Sequence, residues 1–454
     1  MKITFLGAQE GVTGSCYHIK SDNVSFLIDC GQFQGNPREQ KKNLEPFPFN
    51  PKDLDFIILT HAHIDHTGRL PKLVQEGFSG RVFMTRGTAS LSEILLKDSA
   101  KIHEVETEKE NEKRIKAGLD PIEPFYNIND VIDTLQYFNP LAYEETFKTG
   151  NLSLRFINAG HLLGSAHVYL TLEGKSLLFS GDVGTDHSQI LLPPKPAVKA
   201  DYIFIETTYG NRTHNDMDER FNKLAEIILE TTAAKGTVII PAFSVGRTQD
   251  IIYGLNNLNH PGLRKVQFFV DSPMAINATK VFRKDLEGMR QDLIDEIMTE
   301  KHPFEMPNLL YVDDATKSYQ LDFNKEPKVL ISASGMCDAG RILHHLRTFL
   351  PKQKTSIVFV GYQAEESIGR KIQNKENIKI YDTEVINRAQ IFTLHGFSGY
   401  ADQNELLKWL QNVSPKKLFL IHGDPDAIEC FDQKIKERYG FKTYIPRLYE
   451  TIEL

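Results

Sequence analysis

Four potential metal ligands fall within six residues in the run His61-Ala62-His63-Ile64-Asp65-His66, and no other stretch of this 454-residue chain constrains its fold as tightly. Imidazole and carboxylate groups bind zinc and similar ions at about 2.0–2.2 Å, on a scaffold that fixes their angles. The run follows residues 55–60 (DFIILT), the pattern of a buried strand. His61, His63 and Asp65 are two residues apart, so an extended loop at the strand's end can aim them together, and His66 stands where helical spacing begins over 67–76. Ligand types at this density point to a metal site rather than to a solvated loop.

Three more ligand-type residues sit beside glycines where β-prone runs end. His161 lies in Gly160-His161-Leu162-Leu163-Gly164, Asp182 in Ser180-Gly181-Asp182-Val183-Gly184, and His422 in Ile421-His422-Gly423-Asp424. A strand-end His or Asp is by itself an ordinary turn or capping residue; the shared position groups these three with the first run. His167, one residue into a strand, reads as a hydrogen-bonding neighbour rather than a ligand.

Length predicts two or three domains, and 41% hydrophobic with 25% charged residues is an ordinary globular balance. No apolar run approaches the roughly 18 residues of a membrane span, and the N-terminus has no signal-peptide pattern. Cys16, Cys30, Cys337 and Cys430 form no C-x-x-C pair, which argues against a disulfide framework or thiolate zinc site and fits a cytoplasmic location. With a net charge of −7, any attraction for a polyanion must be local. Short strands are expected at 2–6, 16–19, 25–29, 152–157, 166–172, 176–180 and 202–206, and a charged surface helix at 90–116. After Glu206 the texture becomes alternating: helices at 218–235 and 247–258, strands at 237–241, 266–270, 328–332 and 356–360. That rhythm predicts a parallel sheet with helices on both faces. A β pattern over 379–393, a helix at 402–411, a strand at 417–421 and a helix at 427–438 close the chain. The expected division is 1–206, 207–384 and 385–454.

The His-x-His-x-Asp-His run followed by a distant His, an Asp and a final His resembles the metallo-β-lactamase superfamily. The resemblance implies an αββα sandwich in which His61, His63 and His161 hold one zinc, Asp65, His66 and His422 a second, and Asp182 bridges them. Asp29, in Leu27-Ile28-Asp29-Cys30-Gly31, matches the acidic residue that supports the ligands from behind. A whole domain separates Asp182 from His422, which is similar to the β-CASP branch of nucleases, whose members include the endonuclease subunit of pre-mRNA 3′-end cleavage. Glu206 falls at that branch's acidic motif A, Tyr400 (in Phe397-Ser398-Gly399-Tyr400-Ala401-Asp402) at motif B, and His422 at motif C. The branch usually has His where this chain has Tyr400. A phenol, with a reference pKa of about 10, is a poorer acid at neutral pH; His395 is the nearest upstream imidazole.

The resemblance therefore implies an α/β enzyme, a metallo-β-lactamase sandwich interrupted by an inserted α/β domain, that hydrolyses single-stranded RNA with a hydroxide bridging two zinc ions. Asp65, Asp182, Glu206 and Tyr400 would carry the chemistry. In the insert, loops after buried strands present Ser244 with Arg247, Ser334 with Gly335 and Arg341, and a Gly361-containing turn with Arg370. Backbone N–H groups and guanidinium groups there are candidate phosphate contacts. A homodimer is carried as an expectation for the assembly. Two alternatives stay open: a metallo-hydrolase of DNA or a small ester, and a weakly active RNA-binding scaffold, the latter resting on Tyr400 alone.

Overall fold

Period-two burial builds the first of two compact units. In the computed structural model, which describes every residue except 36, 215, 216, 218, 300 and 301, this unit comprises Met1–Asp186, Leu192–Thr213 and Tyr400–Leu454. It contains two seven-stranded mixed sheets. One runs Thr451–Glu453, Lys2–Phe5, Tyr17–Lys20, Ser25–Ile28, Phe56–Ile58, Arg81–Thr85, Phe138–Leu141; the other runs Thr443–Tyr444, Lys417–Ile421, Tyr202–Glu206, Lys175–Phe179, Ala166–Leu172, Leu152–Asn158, Thr146–Thr149. Inward residues of both sheets, among them Phe5, Phe26, Ile28, Phe156, Phe179, Phe204 and Phe419, form one core. Phe204 stacks between Phe179 and Phe419 at centroid distances of 4.2 and 4.5 Å.

The alternate residues point outward and are covered by helices. Leu27, Ile57 and Val82 meet Leu70 and Leu73 of the helix Leu70–Gln75. On the other sheet Ile203, Ile205, Leu418 and Leu420 meet Leu406, Ile428 and Phe431 of the helices Gln403–Trp409 and Pro425–Tyr439. Alternation with a buried side on each face is what a helix–sheet–sheet–helix stack requires. The long charged helix expected at 90–116 spans Arg86–Lys116, buried along its first half at Leu91, Leu96 and Ala100.

The second unit comprises His187–Leu191 and His214–Gly399. Its six-stranded sheet is wholly parallel, in the order Leu309–Tyr311, Gln267–Asp271, Lys328–Ser332, Thr237–Pro241, Thr355–Phe359, Gln390–Thr393. Every residue of Thr237–Pro241, Lys328–Ser332 and Thr355–Phe359 is buried, as expected of strands covered on both faces. The strand Gln390–Thr393, placed by the sequence beyond residue 384, pairs in parallel with Thr355–Phe359 and so belongs to this sheet. Asp218, where the sequence starts a helix, lies outside the described residues; the helix observed there is Arg220–Ala233. Among the described residues no helix is long and apolar enough to cross a membrane.

Candidate metal centre

The ligand-type residues of the first unit gather where strands of both sheets end. Ser25–Ile28 and Phe56–Ile58 run in parallel, with Ile28 opposite Ile58, which brings Asp29 beside Thr60 and the histidine run. Tyr202–Glu206 and Lys417–Ile421 run in parallel, with Glu206 opposite Ile421 and His422 next in chain. Two of these residues, Asp29 (φ 59°) and His422 (φ 53°), hold left-handed backbone conformations that are uncommon for side chains larger than glycine. Gly31 is required for close approach, because a Cβ there would stand 1.5 Å from the Asp65 carbonyl oxygen.

Asp29 organises the run from behind. Its carboxylate accepts hydrogen bonds from the Thr60 amide (2.8 Å) and hydroxyl (2.9 Å), and from His66 Nδ1 (2.7 Å). This fixes the His66 tautomer and turns Nε2 toward His422 Nε2, 3.2 Å away. Two donor sets result. His61 Nε2 and His63 Nδ1 are 3.0 Å apart and His161 Nε2 is 3.4 Å from His63 Nδ1, with Asp182 Oδ2 3.4 Å from His61 and 3.6 Å from His161. In the second set, Asp182 Oδ1 lies 3.3 Å from His66 Nε2, while Asp65 Oδ2 is 3.7 Å from His66 and 3.6 Å from His422. Ligand atoms about 2.05 Å from one tetrahedral ion are about 3.3 Å from each other. Facing nitrogens at such spacings suit a shared cation.

The Asp182 carboxylate is the strongest sign of a fit. Its side chain is fully buried, one oxygen turned to each donor set, and neither oxygen accepts a well-formed hydrogen bond. An ionised carboxylate in that state is costly unless cations stand beside it. The groups His61, His63, His161, Asp182 and Asp65, His66, His422 can each hold a metal ion. Burial pushes the His61 imidazole well below its ordinary range, leaving it a neutral donor. His66 is also buried, but Asp182, Asp29 and Asp65 outweigh that and hold it well above, so proton release accompanies metal binding.

Glu206 stands outside both sets. Its oxygens accept the backbone N–H groups of Val183 (3.1 Å) and Thr208 (2.8 Å), tying the Asp182 turn to Thr208, whose hydroxyl reaches His422 Nδ1 at 3.2 Å. Burial, then the Asp182 charge, raises its carboxyl to about 7. The Tyr400 ring packs against His161 at 4.4 Å, and its backbone bridges to Gly184. Burial and the nearby carboxylates Asp182, Asp65 and Glu206 push its phenol well above 10. His395 is exposed in the second unit. His167 spends one ring nitrogen on the Ser180 carbonyl (2.6 Å) and the other on Trp409 Nε1 (3.0 Å), as a neighbour rather than a ligand would. Thr60 and Thr208, which connect the acidic residues to the histidines, escaped the sequence reading; a hydroxyl directly before the first histidine was the available signal.

In the second unit the candidate phosphate loops lie at the C-terminal ends of neighbouring parallel strands, where open α/β sheets bind ligands. Gln363 Nε2 donates to the Gly335 carbonyl (2.9 Å), and a Cβ on Gly335 would meet Phe243 at 3.1 Å, so three loops converge. Ser244 is buried with its hydroxyl on Ser272 (2.9 Å), and Ser334 Oγ accepts the Asp338 amide (3.1 Å). Arg247 faces Asp250 (3.3 Å), and Arg370 donates to the Gln363 carbonyl (2.5 Å). Arg341 is engaged internally, on Asp271 Oδ1 at 2.7 Å and on the carbonyls of Val312 and Asp313. A third group of ligand-type residues, Asp271, His344 and His345, was not singled out from the sequence.

An αββα sandwich with paired His/Asp donor sets at its strand ends, and a parallel-sheet domain inserted between Asp182 and His422, defines a class. The chain belongs to the metallo-β-lactamase superfamily, in its β-CASP branch. The Metallo-beta-lactamase superfamily model matches residues 10–227, the Beta-Casp domain model 248–372, and a Zn-dependent metallo-hydrolase RNA specificity domain 385–446. A ribonuclease of Thermus thermophilus is 38% identical over 429 residues, 94% of each chain. An RNase J-like protein of Methanocaldococcus jannaschii is 29% identical over 98% of this chain and 97% of its own, and that organism's transcription termination factor FttA is 29% identical over 100% and 72%. A crystal structure of a protein of unknown function from Enterococcus faecalis shares the fold, with a TM-score of 0.56 at 12% identity over 100% of this chain and 99% of that one.

Proposed function

We propose that this chain is a zinc-dependent ribonuclease that hydrolyses phosphodiester bonds of single-stranded RNA at a two-zinc centre. The observation that carries the reading is Asp182, a buried carboxylate turned to two complete donor sets, in a chain with an RNA specificity domain and 38% identity to a ribonuclease. His61, His63 and His161 would hold one ion and Asp65, His66 and His422 the other, with Asp182 turned to both sets. Bound there, the ions supply Lewis acidity and lower the pKa of water toward neutrality.

The remaining work falls to the protein. Asp29 keeps His66 in the ligating tautomer. Glu206 fixes the turn that carries Asp182 and, through Thr208, the His422 ring. Tyr400 keeps its proton at neutral pH and donates a hydrogen bond to the leaving 3′ oxygen, without delivering the proton as an imidazolium would. Backbone N–H groups near Ser244, Ser334 and Gly335, with Arg247 and Arg370, hold flanking phosphates; Arg341, spent on Asp271, is not carried into this role.

The test is cleavage of RNA labelled separately at its 5′ and 3′ ends, with metal analysis of the same preparation. Two zinc ions per chain and metal-dependent cleavage lost in Asp65→Ala are expected. Metal without RNA cleavage would transfer the centre to another substrate, and no metal would leave a scaffold.

A further inference from the structure

The Asp271 group is built unlike the metal centre, and its hydrogen bonds determine its protonation. His345 Nδ1 lies 2.6 Å from Asp322 Oδ1, and Nε2 lies 2.7 Å from Asp271 Oδ2. An ionised carboxylate only accepts, so each ring nitrogen carries a hydrogen and His345 is an imidazolium. Asp322 also receives His344 Nδ1 (2.8 Å) and Thr348 Oγ1 (3.2 Å); Ser318 bridges Asp271 and His344 Nε2. Arg341 also donates to Asp271, so both carboxylates are met by cationic donors. Burial opposes charge on His345, but Asp271 and Asp322 outweigh it and raise its pKa above the ordinary imidazole value. No polar atom of Asp271, Ser318, Asp322, His344 or His345 is left buried without a partner.

Asp271 is also where a candidate RNA loop is tied down. The loop leaves the strand at Ser332, whose hydroxyl bonds the Asp271 carbonyl (3.1 Å), and ends at Arg341, whose guanidinium bonds the Asp271 carboxylate. Ser334 and Gly335 lie between these two anchors. The next residue, Ser272, holds the hydroxyl of Ser244 in the neighbouring loop.

We propose that His345 is a positioning residue: clasped between Asp271 and Asp322, it holds Arg341 and the 332–341 loop in the conformation that receives an RNA phosphate. The proposal rests on the reading that this loop contacts RNA, and it excludes a third metal ion at Asp271, His344 and His345. Contacts of 2.6–2.8 Å between donor and acceptor atoms are hydrogen-bond lengths, shorter than the about 3.3 Å between ligands of one tetrahedral ion. The charged groups facing His345 are Asp271 from strand Gln267–Asp271 and Asp322 from helix Ala315–Phe323. Arg341 and His344 come from its own segment, and Lys328 lies within electrostatic reach of Asp322.

His345→Gln and Asp322→Asn are compared with the parent in the zinc-loaded full chain, following kcat and KM on labelled RNA across pH 6–9, zinc content and thermal melting. Both variants are expected to raise KM about tenfold with kcat and zinc content kept, a positioning effect acting at a distance. The parent's KM should rise toward alkaline pH, and that of His345→Gln should not. An unchanged KM in a folded variant overturns the proposal, as does a third zinc ion per chain that disappears with His345→Gln. If His345→Gln fails to fold, Asp322→Asn and the parent's KM–pH profile decide. Gly335→Leu separates the two levels: if it alone raises KM, the loop reading survives and the clasp fails. If neither it nor the clasp variants raise KM, the loop reading fails as well.

Discussion

Two buried clusters of His and Asp, one in each unit, differ in what they lack. At the metal centre imidazole nitrogens face one another at 3.0–3.4 Å and Asp182 accepts no well-formed hydrogen bond. At Asp271 each nitrogen faces an oxygen at hydrogen-bond distance and every polar atom has a partner. Metal ions are proposed to complete the first cluster, whereas protons complete the second. The same residue types thus serve opposite ends, and the sign of each contact, donor to donor or donor to acceptor, separates them. Burial does not, since both clusters are buried.

Removing the cations tests that contrast most severely. Chelation, or Asp182→Ala, should lower RNA cleavage by roughly a thousandfold or more, the scale of several kcal/mol of transition-state stabilisation. Chelation should also lower the Tm, because the ions bind the folded state alone; an unchanged Tm would count against the donor sets. In the second cluster chelation should do nothing, while Asp271→Ala strands the buried His345 and the part-buried Arg341. That loss is expected to cost about 3–5 kcal/mol by urea denaturation, with zinc content unchanged. Asp29→Ala, which frees the His66 ring, should weaken zinc binding about 10–100-fold, with activity recovered at high zinc.

The two clusters were also unequally legible. The histidine run declares itself because its ligands are two residues apart, and the strand that presents it is an unbroken apolar run. The strands Ala166–Leu172, Tyr202–Glu206, Thr237–Pro241, Lys328–Ser332 and Lys417–Ile421 have the bounds the sequence indicated, since buried runs flanked by Gly, Asp or Lys have sharp ends. Phe138–Leu141 was missed: it contains Pro140 and lies at a sheet edge, where a lost amide donor is tolerated. The Asp271 cluster was invisible for a different reason. Its partners are 23 and 74 residues apart, so no local spacing carries it; only the parallel order that sets Gln267–Asp271 beside Lys328–Ser332 brings them together.

Protonation sharpens the comparison at smaller cost. His345 has a raised pKa in the folded chain, so its contribution is full below the unfolded value of about 6.5 and is lost as pH rises through the folded value. Asp322 is held down to about 2: burial raises it, but hydrogen bonds from His344 and His345 outweigh that. Its contribution is present above its unfolded value of about 3.9 and is lost as pH falls through the folded one. The second unit should therefore be most stable between those limits. On the alkaline side, thermal melts should show a lowered Tm for the second unit, and this decline should be absent in His345→Gln.

Tyr400 bears on what the candidate metal centre lacks once its ions are present. The ring lies against His161 and its backbone is fixed to Gly184, so the position is set by the first unit's own frame. A phenol held well above 10 donates a hydrogen bond but does not give up its proton at neutral pH. Tyr400→Phe removes only that donor and should reduce kcat about tenfold with KM and zinc content kept, the scale of a single hydrogen bond made in the transition state. Tyr400→His supplies an acid whose reference pKa is near neutrality. It should raise kcat several-fold and add an alkaline limb to the pH–rate profile as the imidazolium deprotonates. Equal rates for Tyr400→Phe and the parent would instead mean that solvent protonates the leaving oxygen and that Tyr400 serves only to pack His161.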